Sequence, residues 1–283
     1  MTTILVTGAT DGIGKETARI LAREGHDVIV HGRTLEKARA ACADIEKASG
    51  RKLPDAVAAD LASLDEVRGL AVAVGKRGAL DAIINNAGVY AKTRKLTVDG
   101  HELTMAVNHD APVLLTHLLL DALDKSASGR VVNVSSIAHS RGRIDLDDID
   151  MARGFTAEPS AAHFDGYRAY ATSKLANVLF TAELARRLRA RGSQVLVNAL
   201  HPGVVSTKLL TKGLGMNGPD SLADGAETSV FLATADLDTS GRYFVRCKES
   251  RPSDLVEDLA LCSAFYEASC ARVGITAYGS SRG

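Results

Sequence analysis

The sequence predicts a single α/β domain: a doubly wound sheet of about seven parallel strands with helices on both faces. Three observations carry this. Short apolar runs alternate with longer amphipathic ones. The short runs are almost continuously apolar, as strands buried on both faces must be. The 283 residues are 46% hydrophobic but only 4% aromatic, a balance that suits helices on a sheet better than a β sandwich.

Each element has its own signal. Ile4 to Thr7 reads as the first strand, and Gly14 to Arg23 follows as a helix closed by Gly25. Val28 to Val30 is the second strand, and Thr34 is positioned to cap a helix through Lys47. Ala56 to Ala59 is the third strand; Ser63 with Glu66 reads as a capping box for the next helix. Leu80 to Ile84 is the fourth strand, before a long helical segment from Glu102 to Leu123. Arg130 to Val134 and Val195 to Leu200 are the fifth and sixth strands, separated by a helix from about Gly166 to Arg191. Tyr243 to Val245 forms a short seventh strand. No linker, repeat or low-complexity tract divides residues 1–283, so one domain is expected. Two stretches break the rhythm, about 138–165 and 204–224. Both follow strand ends, where such sheets bind ligands, so they are expected to shape a substrate site.

Bulk composition excludes several classes. Lys plus Arg and Asp plus Glu both number 34, so no net charge favours nucleic acid or an anionic membrane. Cys42, Cys247, Cys262 and Cys270 form no CxxC pair and read as free thiols; no metal site is expected. The N-terminal residues carry neither a basic region with a signal core nor a long apolar span, which points to a cytoplasmic protein without a membrane anchor.

Thr7-Gly8-Ala9-Thr10-Asp11-Gly12-Ile13-Gly14 joins the first strand to the first helix. Glycines there allow a tight turn, a close backbone approach and close helix packing, and the free N–H groups at the helix start suit a pyrophosphate. The spacing is GxxxGxG. The order of Thr7-Gly-x-x-x-Gly-x-Gly14, Asn85-Asn86-Ala87-Gly88, Asn108, Ser135-Ser136, Tyr170-x-x-x-Lys174 and Pro202-Gly203 resembles the classical short-chain dehydrogenase/reductases, over about residues 3 to 250. Gly14-Lys-Glu-Thr17, Val107-Asn-His109, Ser173-Lys-Leu-Ala-Asn177 and His201-Pro-Gly203 are most similar to the retinol-dehydrogenase-like branch. The resemblance implies a Rossmann-type fold that binds a nicotinamide cofactor.

Tyr170 and Lys174, four apart on a helix, share a face. An ammonium beside a phenol favours the phenolate, so Lys174 is expected to lower the tyrosine's pKa towards the range useful for proton transfer. Tyr167 lacks a lysine four residues on and is a decoy. By resemblance Ser136, not Ser135, is catalytic. Its hydroxyl would hold the substrate oxygen. The 34 residues from Ser136 to Tyr170 exceed the family's usual interval, as they do in the retinol-dehydrogenase-like branch. The resemblance gives Asn108 the role of bending its helix and holding a water that joins the lysine to solvent. His109 is expected to be a packing or helix-surface residue, and His201 a structural one.

For the cofactor, Gly32 stands where an NAD enzyme usually places an acid, and Arg33 follows it, suited to a 2′-phosphate, with His31 able to assist. This favours NADP(H); Asp11 in the glycine loop argues the other way, unless it caps the helix, and leaves NAD(H) open. By resemblance Asp60 and Leu61 contact adenine, Asn86, Ala87 and Gly88 line the adenine-ribose side, and Thr207, after Pro202, Gly203 and Val205, holds the carboxamide. With Gly8, Thr10, Gly12, Ile13 and Gly14, and with Tyr170 and Lys174 at the reactive end, these make the expected cofactor site.

The leading expectation is an oxidoreductase interconverting an apolar alcohol with its ketone or aldehyde. Val204, Leu209, Leu210, Leu214 and Met216 suggest an apolar lid, and Gly213, Gly215 and Gly218 suggest that it moves. The rival is a non-catalytic nucleotide-binding regulator on the same fold, which the presence of both Tyr170 and Lys174 disfavours. The resemblance also implies a homodimer or homotetramer formed through the two long helices.

Overall fold

The computed structural model describes residues 2–153 and 164–279. Eight strands form one sheet in the order β3-β2-β1-β4-β5-β6-β7-β8: β1 (Thr3–Val6), β2 (Asp27–Gly32), β3 (Val57–Ala58), β4 (Ala82–Asn85), β5 (Arg130–Val134), β6 (Leu196–His201), β7 (Tyr243–Val245) and β8 (Lys248–Ser250). The first seven are parallel, as expected. The eighth was not expected. It pairs antiparallel with β7 through Arg246 and Cys247, both at positive φ, the backbone of a tight hairpin turn.

Strand residues alternate between two cores, the pattern that a two-sided sheet demands. Leu5, Ile29, Ile83, Val131 and Val197 face one layer, made by α3 (Leu64–Gly75), α5 (Ala111–Asp124), α6 (Gly166–Ala190) and α8 (Leu259–Arg272). Ile4, Val6, Val28, Val30, Ala82, Ile84, Val132 and Val134 face the other, made by α1 (Gly12–Arg23), α2 (Leu35–Ser49) and α7 (Leu222–Thr234). Thr34 caps α2 as expected. The capping box at α3 is only half made. Ser63 Oγ accepts from Glu66 N, but the Glu66 carboxylate turns to Asp60 N, 2.7 Å away.

The long helix expected from Glu102 is interrupted. A short α4 (Leu103–Met105) passes into a π turn, Ala106–Asp110, before α5 begins. The two long helices that were expected to form a dimer surface are covered within the chain. Cys262, Phe265, Tyr266 and Cys270 of α8 are almost fully buried, and Phe265 and Tyr266 pack on His109 and Phe180. That stripe of the two helices is covered within the chain, while Leu118 of α5 remains 40% exposed. Among the described residues no helix is long and apolar enough to cross a membrane.

Candidate active site

Strand order reverses between β1 and β4, and the crevice beyond their carboxyl ends is where such sheets take ligands. The glycine loop lies there. Gly8 has φ +65°, and a Cβ on it would come within 2.9 Å of Ala87 Cα. A Cβ on Gly14 would fall 2.2 Å from Asn86 Nδ2. Asn86 is thus committed to the loop: its amide donates to Thr7 O at 2.8 Å, and Thr7 Oγ1 accepts from both Asn86 N and Ala87 N. Its side chain holds up the cradle.

Asp11 caps α1, as one reading of it anticipated. Its Oδ1 accepts Gly12 N, and its Oδ2 pairs with Lys208. The pairing spans from the loop to the segment 204–224, where Thr207 lies against Gly12, its Cγ2 3.4 Å from where a Cβ would stand. Val205, Ile13 and Gly225 pack together behind it. Val205 also bridges to Asp220, whose carboxylate takes Val204 N at 2.6 Å beside Gly203. Within this segment Gly218 is packed tightly; Val204 O occupies the space a side chain would need. Leu209 packs with Tyr90 and Tyr167 against Tyr170, whereas Met216 is exposed.

At the end of β2, Gly32 is required by space. A Cβ there would sit 2.4 Å from Thr10 Cγ2, so an acid cannot stand at this position without moving Thr10. Arg33 is exposed and aligned with it in the chain. His31 cannot assist a phosphate, contrary to expectation. It is buried, accepts Gly8 N at Nδ1, and bonds Ala59 O through Nε2 at 3.1 Å. Burial pushes its pKa down to about 4, which fits a neutral ring tying three strand ends together. Asp60 Oδ1 accepts Ala62 N, fixing the turn after β3, where Leu61 is buried.

The glycine cradle, the first-turn amides of α1 and the absence of an acid at Gly32 fit a dinucleotide. The tyrosine–lysine end lies on α6. Tyr170 is buried, Ser136 acts on its phenol to lower the pKa, and Lys174 Nζ is 5.6 Å from its ring centroid. A Cβ on Gly88 would lie 3.5 Å from Lys174 Nζ and 3.4 Å from Asn108 Oδ1, so Gly88 belongs to this end of the crevice and not to the adenine side. Ser135 points away, donating to Lys174 O at 2.7 Å.

The expected lowering of the tyrosine's pKa is not what this arrangement gives. Burial pushes Tyr170 up to about 12, against the Ser136 bond, and pushes Lys174 down to about 8. Lys174 spends a proton on Val134 O at 2.9 Å and not on the phenol.

Asn108 sits in the π turn. Its Oδ1 accepts Val89 N at 2.7 Å and its Nδ2 donates to Ser173 Oγ, which donates to Tyr170 O. Its own carbonyl accepts Asn177 Nδ2 at 2.9 Å. Ser173 and Asn177, named above only as part of a branch motif, had no role assigned from sequence. They lie on a helix buried nearly all round, where any polar side chain must find a partner. His109, fully buried, and His201 have the packing and structural positions expected of them, both pushed by burial to about 4. Tyr167 lines a polar cavity of about 450 Å³ with Ser140, Arg141, Arg143, Asp165 and Arg168, and it packs against Tyr170. Of the stretch 138–165 expected to shape the substrate site, residues 154–163 lie outside the described residues.

The sequence profile of the short chain dehydrogenase family matches residues 2–146 and 158–215. Human retinol dehydrogenase 13 is 39% identical across 97% of this chain and 85% of its own. Human retinol dehydrogenase 11 is 36% identical across 96% and 86%. Among solved structures, an uncharacterized protein from Mycobacterium paratuberculosis aligns with a TM-score of 0.80 at 33% identity, covering 98% of this chain and 95% of that one. A short chain dehydrogenase from Shigella flexneri complexed with NADP aligns at 0.70 and 28%, covering 87% and 97%. A buried tyrosine–lysine pair beside a serine, a glycine cradle at the switch point, and near-full-length likeness to these proteins lead to one conclusion: this chain is a short-chain dehydrogenase/reductase of the retinol dehydrogenase-like branch, an oxidoreductase acting on CH–OH or C=O groups.

Proposed function

We propose that the protein uses NADP(H) to interconvert an apolar alcohol and its aldehyde or ketone, with Tyr170 as the acid/base. The observation that carries this is the buried Tyr170 phenol with Lys174 Nζ 5.6 Å from its ring centroid and Leu209 packed against it. The cofactor supplies or accepts the hydride. In reduction Tyr170 gives its proton to the substrate oxygen, and a group held near 12 remains protonated at neutral pH. Ser136 Oγ holds the same oxygen as charge develops. Lys174 offers donors towards the nicotinamide ribose and a positive charge near the phenol, while Asn108 braces Val89 to α6. Gly8, Thr10, Gly12, Ile13 and Gly14 would cradle the pyrophosphate, with Thr207 and Val205 closing over it; Pro202 and Gly203 set that strap's start.

Exposed Arg33 beside Gly32 supports preference for the 2′-phosphate, as does neutralisation of Asp11 by Lys208. Relatives named retinol dehydrogenases and a neighbour complexed with NADP agree with an apolar substrate and this cofactor. Leu209 against Tyr170 gives the site an apolar wall. A panel of all-trans-retinal, decanal and acetophenone with NADPH and NADH tests the reading. Oxidation of NADPH by at least one, faster than of NADH, is expected. NADPH binding without turnover across the panel would favour a regulator instead.

A further inference from the structure

We propose that His139 is a positioning residue that holds Ser136 in place for catalysis; this rests on the reading that Ser136 holds the substrate oxygen. Ser136 precedes a single 3-10 turn, Ile137–Arg141, and its Oγ accepts Ala138 N at 3.2 Å. So short a turn is weakly self-supporting. His139 supplies what the turn lacks. Its Nδ1 lies 2.7 Å from Ser136 O, so Nδ1 carries the hydrogen and donates. Its Nε2 accepts Ser253 N at 3.1 Å.

A neutral imidazole has one donor and one acceptor, and here both are committed, on opposite edges of the ring. Tautomer and orientation are therefore fixed together. The ring face is fixed as well, 4.6 Å from Tyr243 of β7, and the residue is only 4% exposed. Burial keeps the ring below its ordinary pKa, consistent with the neutral form.

The backbone also bonds locally, His139 N to Ser136 O at 3.1 Å. What the side chain adds is reach. It ties the serine's carbonyl to Ser253, which lies beyond β8 and 114 residues along the chain. Ser136 thereby takes its place from the β7–β8 edge as well as from β5. A serine free to shift by ~1 Å would lose alignment with the reacting oxygen, and such misplacement costs about a hundredfold in rate.

The test uses the full chain, NADPH and all-trans-retinal, or the panel compound turned over if retinal is not. His139→Phe keeps an aromatic ring but removes both bonds. It should lower kcat by roughly ten- to hundredfold and change the NADPH dissociation constant, read by fluorescence, by less than about threefold. His139→Asn keeps a donor near the Nδ1 position and should recover most of the loss. Ser253 has φ −56°, compatible with proline, so Ser253→Pro removes the N–H without turning the backbone and should lower kcat by about threefold or more.

The decisive comparison is His139→Phe made in a Ser136→Ala background, where it should cost less than about threefold further. An equal loss in both backgrounds, no rescue by asparagine, or unchanged kcat in His139→Phe and Ser253→Pro overturns the positioning role alone. Full turnover in Ser136→Ala overturns the catalytic reading of Ser136 and this inference with it.

Discussion

Replacing Arg272 tests how the C-terminal helix secures the site. Arg272 Nε is 3.1 Å from both oxygens of Asp110, and its two Nη atoms lie 2.6 and 2.5 Å from the oxygens of Asp150. Asp110 ends the π turn that carries Asn108 and is fully buried; Arg272 is 11% exposed. Arg272→Met removes the cation and leaves the Asp110 charge with only His101 facing it, at 2.8 Å. Breaking a buried pair from one side costs about 3–5 kcal/mol. With about 2.1 cal/mol/K of unfolding entropy per residue, 283 residues give about 0.6 kcal/mol/K. The melting temperature should then fall by about 5–8 °C, measured by differential scanning calorimetry at pH 7. Arg272→Lys keeps the charge but not the paired geometry and should fall between. Burial pushes the Asp150 carboxyl up, but its bonds to Arg272 and Glu102 N pull it further down, to below 3.8. Its contribution is therefore complete above 3.8 and lost as pH falls through the lower folded value, so the variant's deficit should shrink in strong acid. A Met variant melting within ~1 °C of the parent at pH 7 would refute the assignment of Arg272 as the clamp.

Two further outcomes are expected. His31, His109, His117 and His201 are each pushed by burial from 6.5 to about 4. The unfolded chain takes these protons below pH 6.5 and the folded chain does not, so stability is complete above 6.5 and falls towards pH 4. At up to about 5.5 kcal/mol per pH unit for four groups, the melting temperature should drop by about 10 °C between pH 6.5 and 5, and a flat profile there would contradict their burial as neutral rings. Gly32→Asp alone should destabilise, because its Cβ meets Thr10 Cγ2 at 2.4 Å. Combined with Thr10→Ser, which removes that methyl, it should weaken NADPH at least ~10-fold relative to NADH in fluorescence titrations; equal changes for both cofactors would count against the assigned 2′-phosphate position.

Much of this arrangement was legible before any coordinates. The boundaries of α6 and β7 follow from continuous patterns with clear breakers, and the site residues stand at strand ends as the fold class requires. What escaped had weak or overridden local signals. The β7–β8 hairpin turns on Arg246 and Cys247, residues that do not advertise positive φ. A bend at Asn108 was implied by the resemblance, but its form as a π turn has no compositional mark; its cause is tertiary, the bonds from Asn108 to Val89 and from Asn177 to Asn108 O. Helices α7 and α8 could have been read. Ser221 and Asp224 form a full capping box, and Cys262, Phe265, Tyr266, Ser269 and Cys270 keep helical spacing. Pairing Tyr170 with Lys174 placed the right groups together, but burial dominates their pKa values in a way that spacing alone does not reveal.

Tyr170→Phe tests the central claim most directly, because it deletes one hydroxyl and leaves the ring against Leu209 and Tyr90. NADPH binding by fluorescence and NADPH-dependent reduction of the panel substrate are measured on the same preparation. The account predicts an NADPH dissociation constant within about threefold of the parent and turnover lower by roughly a hundred- to ten-thousandfold. Turnover within ~10-fold of the parent would contradict it.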